Sequence, residues 1–150
     1  MTATTDPDNE PETTSERIGR LYLAVFNDRR LELLDELLAA DFVSHLRVGD
    51  VRGVAGFRAV MDSFYEAFPD VRWIVDEWVF ADARIVCRYH FQGTQVEPWL
   101  GIPPSHKLVR CEGLELLHVR DGRIAEVWNY SDIMGLAAQL QAERPLDIEI

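Results

Sequence analysis

The side chains best suited to proton chemistry in this chain of 150 residues lie in "GLELLHVRDGRIAEVWNYSD", residues 113–132. Glu115 stands inside the apolar run "GLELL", with leucines on both sides. Facing an apolar interior, its carboxyl would lose hydration and its pKa would rise into the range useful for acid–base work. Facing outward, it would be an ordinary glutamate on an alternating strand. Asn129 can donate and accept hydrogen bonds but cannot exchange a proton near neutral pH. Asp132 directly precedes "IMGLAAQL", so it is placed either to cap that helix or to act as an acid.

A hairpin relates these groups to one another. Asp121-Gly122 between two apolar runs is a strong turn signal. A regular two-residue turn pairs Leu114 with Asn129, whereas one residue of bulge sets Glu115 opposite Asn129. In both registers the two polar groups are near neighbours, with directly opposed Cβ atoms about 4.5–5.5 Å apart.

Of the four histidines, His45 in "DFVSHL" enters the domain interior, as a pocket residue or a satisfied core residue. His90 shares a strand face with Arg88, a pair compatible with a pocket wall, solvent or a subunit interface. His106 and His118 read as exposed loop and strand residues. No HxH or HxxxH spacing occurs, and Cys87 and Cys111 form no CxxC, so no metal is expected. A GxSxG nucleophile motif and a phosphate-cradling glycine loop are both missing, which leaves no support for a nucleotide cofactor.

The elements that must position these residues divide the chain by period. Thr14 and Ser15 are candidate N-caps for an amphipathic helix carrying Ile18, Leu21, Tyr22, Val25 and Phe26. A second, shorter helix is expected through Leu31, Leu34, Leu37 and Leu38. A third follows Gly53 and ends at Pro69. Four long runs rich in Val, Ile and aromatics then read as strands, with the Pro/Gly-rich loop "EPWLGIPPSH" between the second and third. A short last helix ends by Pro145. Helices first and strands second give an α+β class: a cone-shaped, curved antiparallel sheet with the N-terminal helices on its concave face, enclosing a pocket for an apolar ligand.

The chain is long enough for one domain with a core. Its formal net charge of −11, from 26 acidic and 15 basic residues, disfavours nucleic-acid and membrane-surface roles. Residues 1–15 carry four acids and no base and read as a disordered acidic tail, leaving 16–150 as the domain. With no leader segment, no membrane-length apolar run and two unpaired cysteines, a cytoplasmic setting is expected.

"GIPPSHKLV" followed by "VRDGRIAEVWNYSDIMGLAAQLQ", with "AVFN", "DFVSH" and "AFPD" in the front half, resembles the SnoaL-like polyketide cyclases of the nuclear-transport-factor-2-like superfamily. The resemblance covers residues 16–141. It implies ring closure on a polyketide-derived intermediate by intramolecular aldol chemistry, without metal or cofactor, in a homodimer formed through the convex sheet face. It also implies an acid/base aspartate at position 129, a histidine at 115 and a glutamine at 113. Here those positions hold Asn129, Glu115 and Gly113. Glu115 is then the candidate base, Asn129 a ligand for an enolate or carbonyl oxygen, and His45 a candidate partner. A cycloaddition-type closure needing little acid–base help is the variant this departure allows. Trp99, Tyr65, Phe68 and Trp128, with Arg88 and His90, are the candidate substrate contacts. A dehydratase or isomerase, and a non-catalytic small-molecule binder, are the competing readings.

Overall fold

The computed structural model describes residues 11–141. Helix α1 runs Thr14–Asn27, and Thr13 rather than Thr14 or Ser15 is its N-cap, in a capping box with Glu16. The expected tail of residues 1–15 therefore overlaps the helix start at its C-terminal end; residues 1–10 lie outside those described, as do 142–150 and with them Pro145. The second expected helix shrinks to a 3-10 turn at Leu31–Leu33 and one α turn, α2, at Leu34–Leu37. From Leu38 the chain is extended: β1 spans Leu38–Leu46 and β2 spans Gly49–Arg52. The helical spacing of Leu34, Leu37 and Leu38 masked a period-two pattern in which Phe42 and Ser44 are buried. Helix α3 (Gly53–Ala67) follows, then β3 (Arg72–Ala81), β4 (Arg84–Thr94), β5 (Leu108–Arg120), β6 (Arg123–Ser131) and α4 (Ile133–Gln141).

The six strands form one sheet in the order β2-β1-β6-β5-β4-β3. It is mixed rather than wholly antiparallel, because β1 lies parallel to β6. Parallel neighbours need a long crossover, and here the whole of β2 to β5 supplies it. The helices cover one face. Ile18, Leu21, Tyr22 and Val25 of α1 and Met61, Phe64 and Tyr65 of α3 meet Ile85, Cys87, Tyr89, Phe91 and Leu117 in one core.

The β5–β6 hairpin fixes the position of the site. Asp121 and Gly122 both have positive φ (51° and 76°), as a tight two-residue turn requires. Arg120 pairs with Arg123 and Val119 with Ile124, but the ladder then slips: His118 pairs with Glu126 and Glu115 with Asn129. Ala125 is the extra residue, so the bulged register is the one adopted. Where β6 ends, the side chain of Gln139 on α4 takes over, its amide donating to the Arg110 carbonyl (2.7 Å) and its oxygen accepting from the Arg110 N–H (2.9 Å).

Candidate functional site

Strand parity decides which side chains reach the space under the helices. On β5 the inward set is Val109, Cys111, Gly113, Glu115 and Leu117; on β6 it includes Ile124, Val127 and Asn129. Between this face and the helices lies a cavity of about 1140 Å³. Phe26, Phe42, Phe57, Phe64, Trp73 and Trp99 supply much of its apolar wall.

A polar strip breaks that wall where β4, β5 and β6 run side by side. Glu115 is 9% exposed. Its Oε2 accepts from the Tyr22 hydroxyl at 2.8 Å and its Oε1 from the Asn129 amide at 2.8 Å. The same amide nitrogen donates to the Tyr89 hydroxyl at 2.9 Å, and the Asn129 carbonyl accepts from Ser131 Oγ at 3.1 Å. Asn129 is thus fully engaged by protein groups. It bridges Glu115 and Tyr89 and has no spare amide hydrogen for a substrate oxygen.

Burial holds the Glu115 carboxyl above its ordinary value, and the hydrogen bonds from Asn129 and Tyr22 only partly oppose this. Burial also raises the phenols of Tyr22 and Tyr89, with the Glu115 charge adding to it. Cys87, paired with Glu115 across the ladder, is likewise pushed up by burial and then by Glu115, so it is no thiolate nucleophile. A single carboxyl therefore provides the titrating function of this strip.

The remaining candidates distribute unevenly. Trp99 lines the cavity, packed edge-on to Phe64 and Phe68. Tyr65 also lines it, but its hydroxyl is spent on the Val25 and Phe26 carbonyls, which hold α3 to α1. Phe68 is fully buried beneath Trp99 as core. Four others are on the opposite side of the sheet, because each alternates with an inward residue. His45 follows Ser44 and lies between Asp50 (2.8 Å) and Glu126 (2.7 Å), stacked on Trp128. Trp128 follows Val127. Arg88 reaches Glu77 (3.3 Å) and His90 reaches Asp76 (2.8 Å), on either side of inward Tyr89. His45, Trp128, Arg88 and His90 are therefore neither catalytic partners nor cavity contacts. Asp132 is exposed and caps α4, its Oδ1 accepting from the Gly135 N–H at 2.9 Å, which leaves it outside the polar strip.

Two residues of the strip, Tyr22 and Tyr89, are not among those the sequence pattern singles out. At its helical spacing on α1, Tyr22 reads as a core residue. Tyr89 had one legible signal, the glycine opposite it: Gly113 pairs with Tyr89, and a glycine inside a strand marks close approach.

Among the described residues, no group of three or more His, Cys, Asp or Glu side chains is placed to hold a metal ion, and no helix is long and apolar enough to cross a membrane. A family model, SnoaL-like polyketide cyclase, matches residues 16–140. The chain belongs to that family. Among solved structures, TsrD of Streptomyces laurentii is similar to this SnoaL-like protein, with 28% identity and a TM-score of 0.80 over 89% of this chain and 99% of TsrD. IdmH of Streptomyces antibioticus, proposed as a polyketide cyclase, is 31% identical, with a TM-score of 0.75 over 87% of this chain and 100% of IdmH. A proposed SnoaL-like cyclase of Jannaschia sp. CCS1, at 20% identity and a TM-score of 0.77 over 91% and 99% of the two chains, shares the fold. No curated protein matches the chain in sequence.

Proposed function

We propose that this SnoaL-like protein closes a ring on an apolar, polyketide-derived intermediate without a cofactor, and that Glu115 moves the proton. The observation that carries the reading is a carboxyl, the one buried acid among the described residues, hydrogen-bonded on both oxygens in the wall of a large aromatic cavity. A carboxyl held above its ordinary pKa is a stronger base than one in water, and a pKa closer to the operating pH lets one group both take up and give back a proton. Glu115 takes a proton from the carbon next to a substrate carbonyl. The resulting enolate carbon attacks a second carbonyl of the same chain to form the ring bond, and the new alkoxide recovers the proton from Glu115. The cavity folds the chain so that the two carbons meet, which removes the entropic cost of closure from the chemical step. Working as a homodimer in the cytoplasm is part of the proposal; Leu114 and Tyr130, exposed on the outer sheet face, suit a dimer contact.

The test is turnover of extended apolar β-ketoesters by the wild-type protein and by Glu115→Gln, followed by product analysis against spontaneous closure. The variant should still bind the ester while losing at least a hundredfold in kcat. Equal turnover would remove proton transfer at Glu115 and leave closure driven by cavity shape. Tight binding with no turnover by the wild type would identify a carrier.

A further inference from the structure

Three tyrosines line the cavity, and the fate of their hydroxyl protons separates them. Tyr22 donates to Glu115, and Tyr65 is held by the Val25 and Phe26 carbonyls. Tyr89 differs. Its oxygen accepts from the Asn129 amide at 2.9 Å, and among the described residues its own O–H donates to no one. The oxygen is 40 residues away in sequence from the amide that holds it, yet the same amide nitrogen holds Glu115 at 2.8 Å. One fixed bridge thus spaces a proton acceptor and a proton donor on neighbouring strands.

The chain has made room for this arrangement. A Cβ built on Gly113 would lie 2.4 Å from both Cζ and Oη of Tyr89, a contact no side chain tolerates. Only glycine at 113 lets the phenol ring cross β5 and bring its hydroxyl to Asn129.

We propose that Tyr89 is a further catalytic residue, donating its free O–H to the substrate oxygen on which negative charge develops while Glu115 removes the neighbouring proton. The assignment rests on the ring-closure reading above. In the step, the C–H proton passes to the Glu115 carboxylate and the C–H electron pair moves into the enolate. The carbonyl oxygen gains the charge, and Tyr89 stabilises it by hydrogen bonding without losing its proton. Asn129 takes no proton; its amide sets the distance between the two working groups and, by donating to the phenol oxygen, makes Tyr89 a better donor. The substrate class is correspondingly sharper: an apolar chain whose reacting carbonyl has an enolisable C–H, with that oxygen at Tyr89 and the C–H at Glu115.

The test has one arm that needs no substrate. Ring-substituted 1-naphthols of graded acidity mimic an apolar enolate, and their binding to Glu115→Gln, where the acid side chain stays neutral, is followed by fluorescence. Affinity should rise with naphthol acidity, and adding Tyr89→Phe should flatten that rise and weaken the most acidic naphthol at least tenfold. An unchanged slope would overturn the proposal. In the second arm, Tyr89→Phe in the otherwise wild-type protein should lower kcat about a hundredfold with KM little changed. Should Tyr89→Phe fail to fold, 3-fluorotyrosine at position 89 keeps the ring and makes the donor stronger, and must tighten naphthol binding for the proposal to stand. Loss of turnover in Glu115→Gln with full turnover in Tyr89→Phe would sink the role of Tyr89 and leave the ring-closure reading intact.

Discussion

The two faces of this sheet carry the same residue types and put them to opposite uses. On the outer face, every acid near a base is paired: His45 with Asp50 and Glu126, His90 with Asp76, Arg88 with Glu77. These groups remain partly in water, where an ion pair contributes little and is readily screened. On the inner face, Glu115 has neutral hydrogen-bond donors and, among the described residues, no ion-pair partner. Its environment opposes ionisation, and its proton is the one that can be moved. On the proposed reading, the chemistry depends on a carboxyl left without an ion pair in an apolar wall, with neutral groups that orient it without neutralising it.

The comparison breaks most sharply at Glu115. Beyond the loss of turnover, Glu115→Gln should remove a pH dependence. A folded carboxyl above 4.5 means that the unfolded chain gives up its proton first, so the wild type loses stability as pH climbs from about 4.5 through the raised value. The glutamine cannot ionise. Its thermal midpoint relative to wild type should therefore improve as pH rises from about 4.5 through the raised value and level off above it, and a flat difference would show Glu115 to be unperturbed.

Gly113→Ala comes next. The added methyl displaces Tyr89, so turnover should fall by as much as in Tyr89→Phe, and overpacking should cost about 1–3 kcal/mol in denaturant unfolding. Asp132→Ala tests the cap: about 1 kcal/mol lost from the fold, with kcat unchanged. The smallest effect belongs to the outer face. The His45 imidazole is raised above 6.5, with Glu126 the leading cause and Asp50 second. Its contribution is complete below pH 6.5 and fades as pH rises through the raised value. His45→Gln should be less stable than wild type at pH 6, approach it at pH 9, and turn over normally at both.

Much of this is legible in the amino-acid sequence. The spacing on α1 and α3, the Asp-Gly turn, the Pro-rich loop and the proximity of Glu115 to Asn129 all follow from local rules that tertiary structure left alone. What failed was parity and long-range pairing. His45, Arg88, His90 and Trp128 have suitable chemistry, but their face is set by neighbours such as Ser44, Tyr89 and Val127, and a strand read as a helix gives no face at all. β1 was lost in that way: its leucines overlap a helical turn, and its parallel partner, β6, is about 80 residues further along. Tyr22 and Tyr89 carry little signal because an aromatic at core spacing is usually core, and only the glycine opposite Tyr89 points elsewhere.

The bulge at Ala125 has a consequence for how such a site can change over generations. Beyond it the two strands of the hairpin are out of phase with their own turn by one residue, so the turn and the active strip can be edited separately. A one-residue insertion between Ala125 and Trp128 would send Asn129 to the outer face and carry Trp128 inward beside Glu115. Counting errors in copying, rather than substitutions, are the shortest route by which this hairpin could exchange one set of working side chains for another.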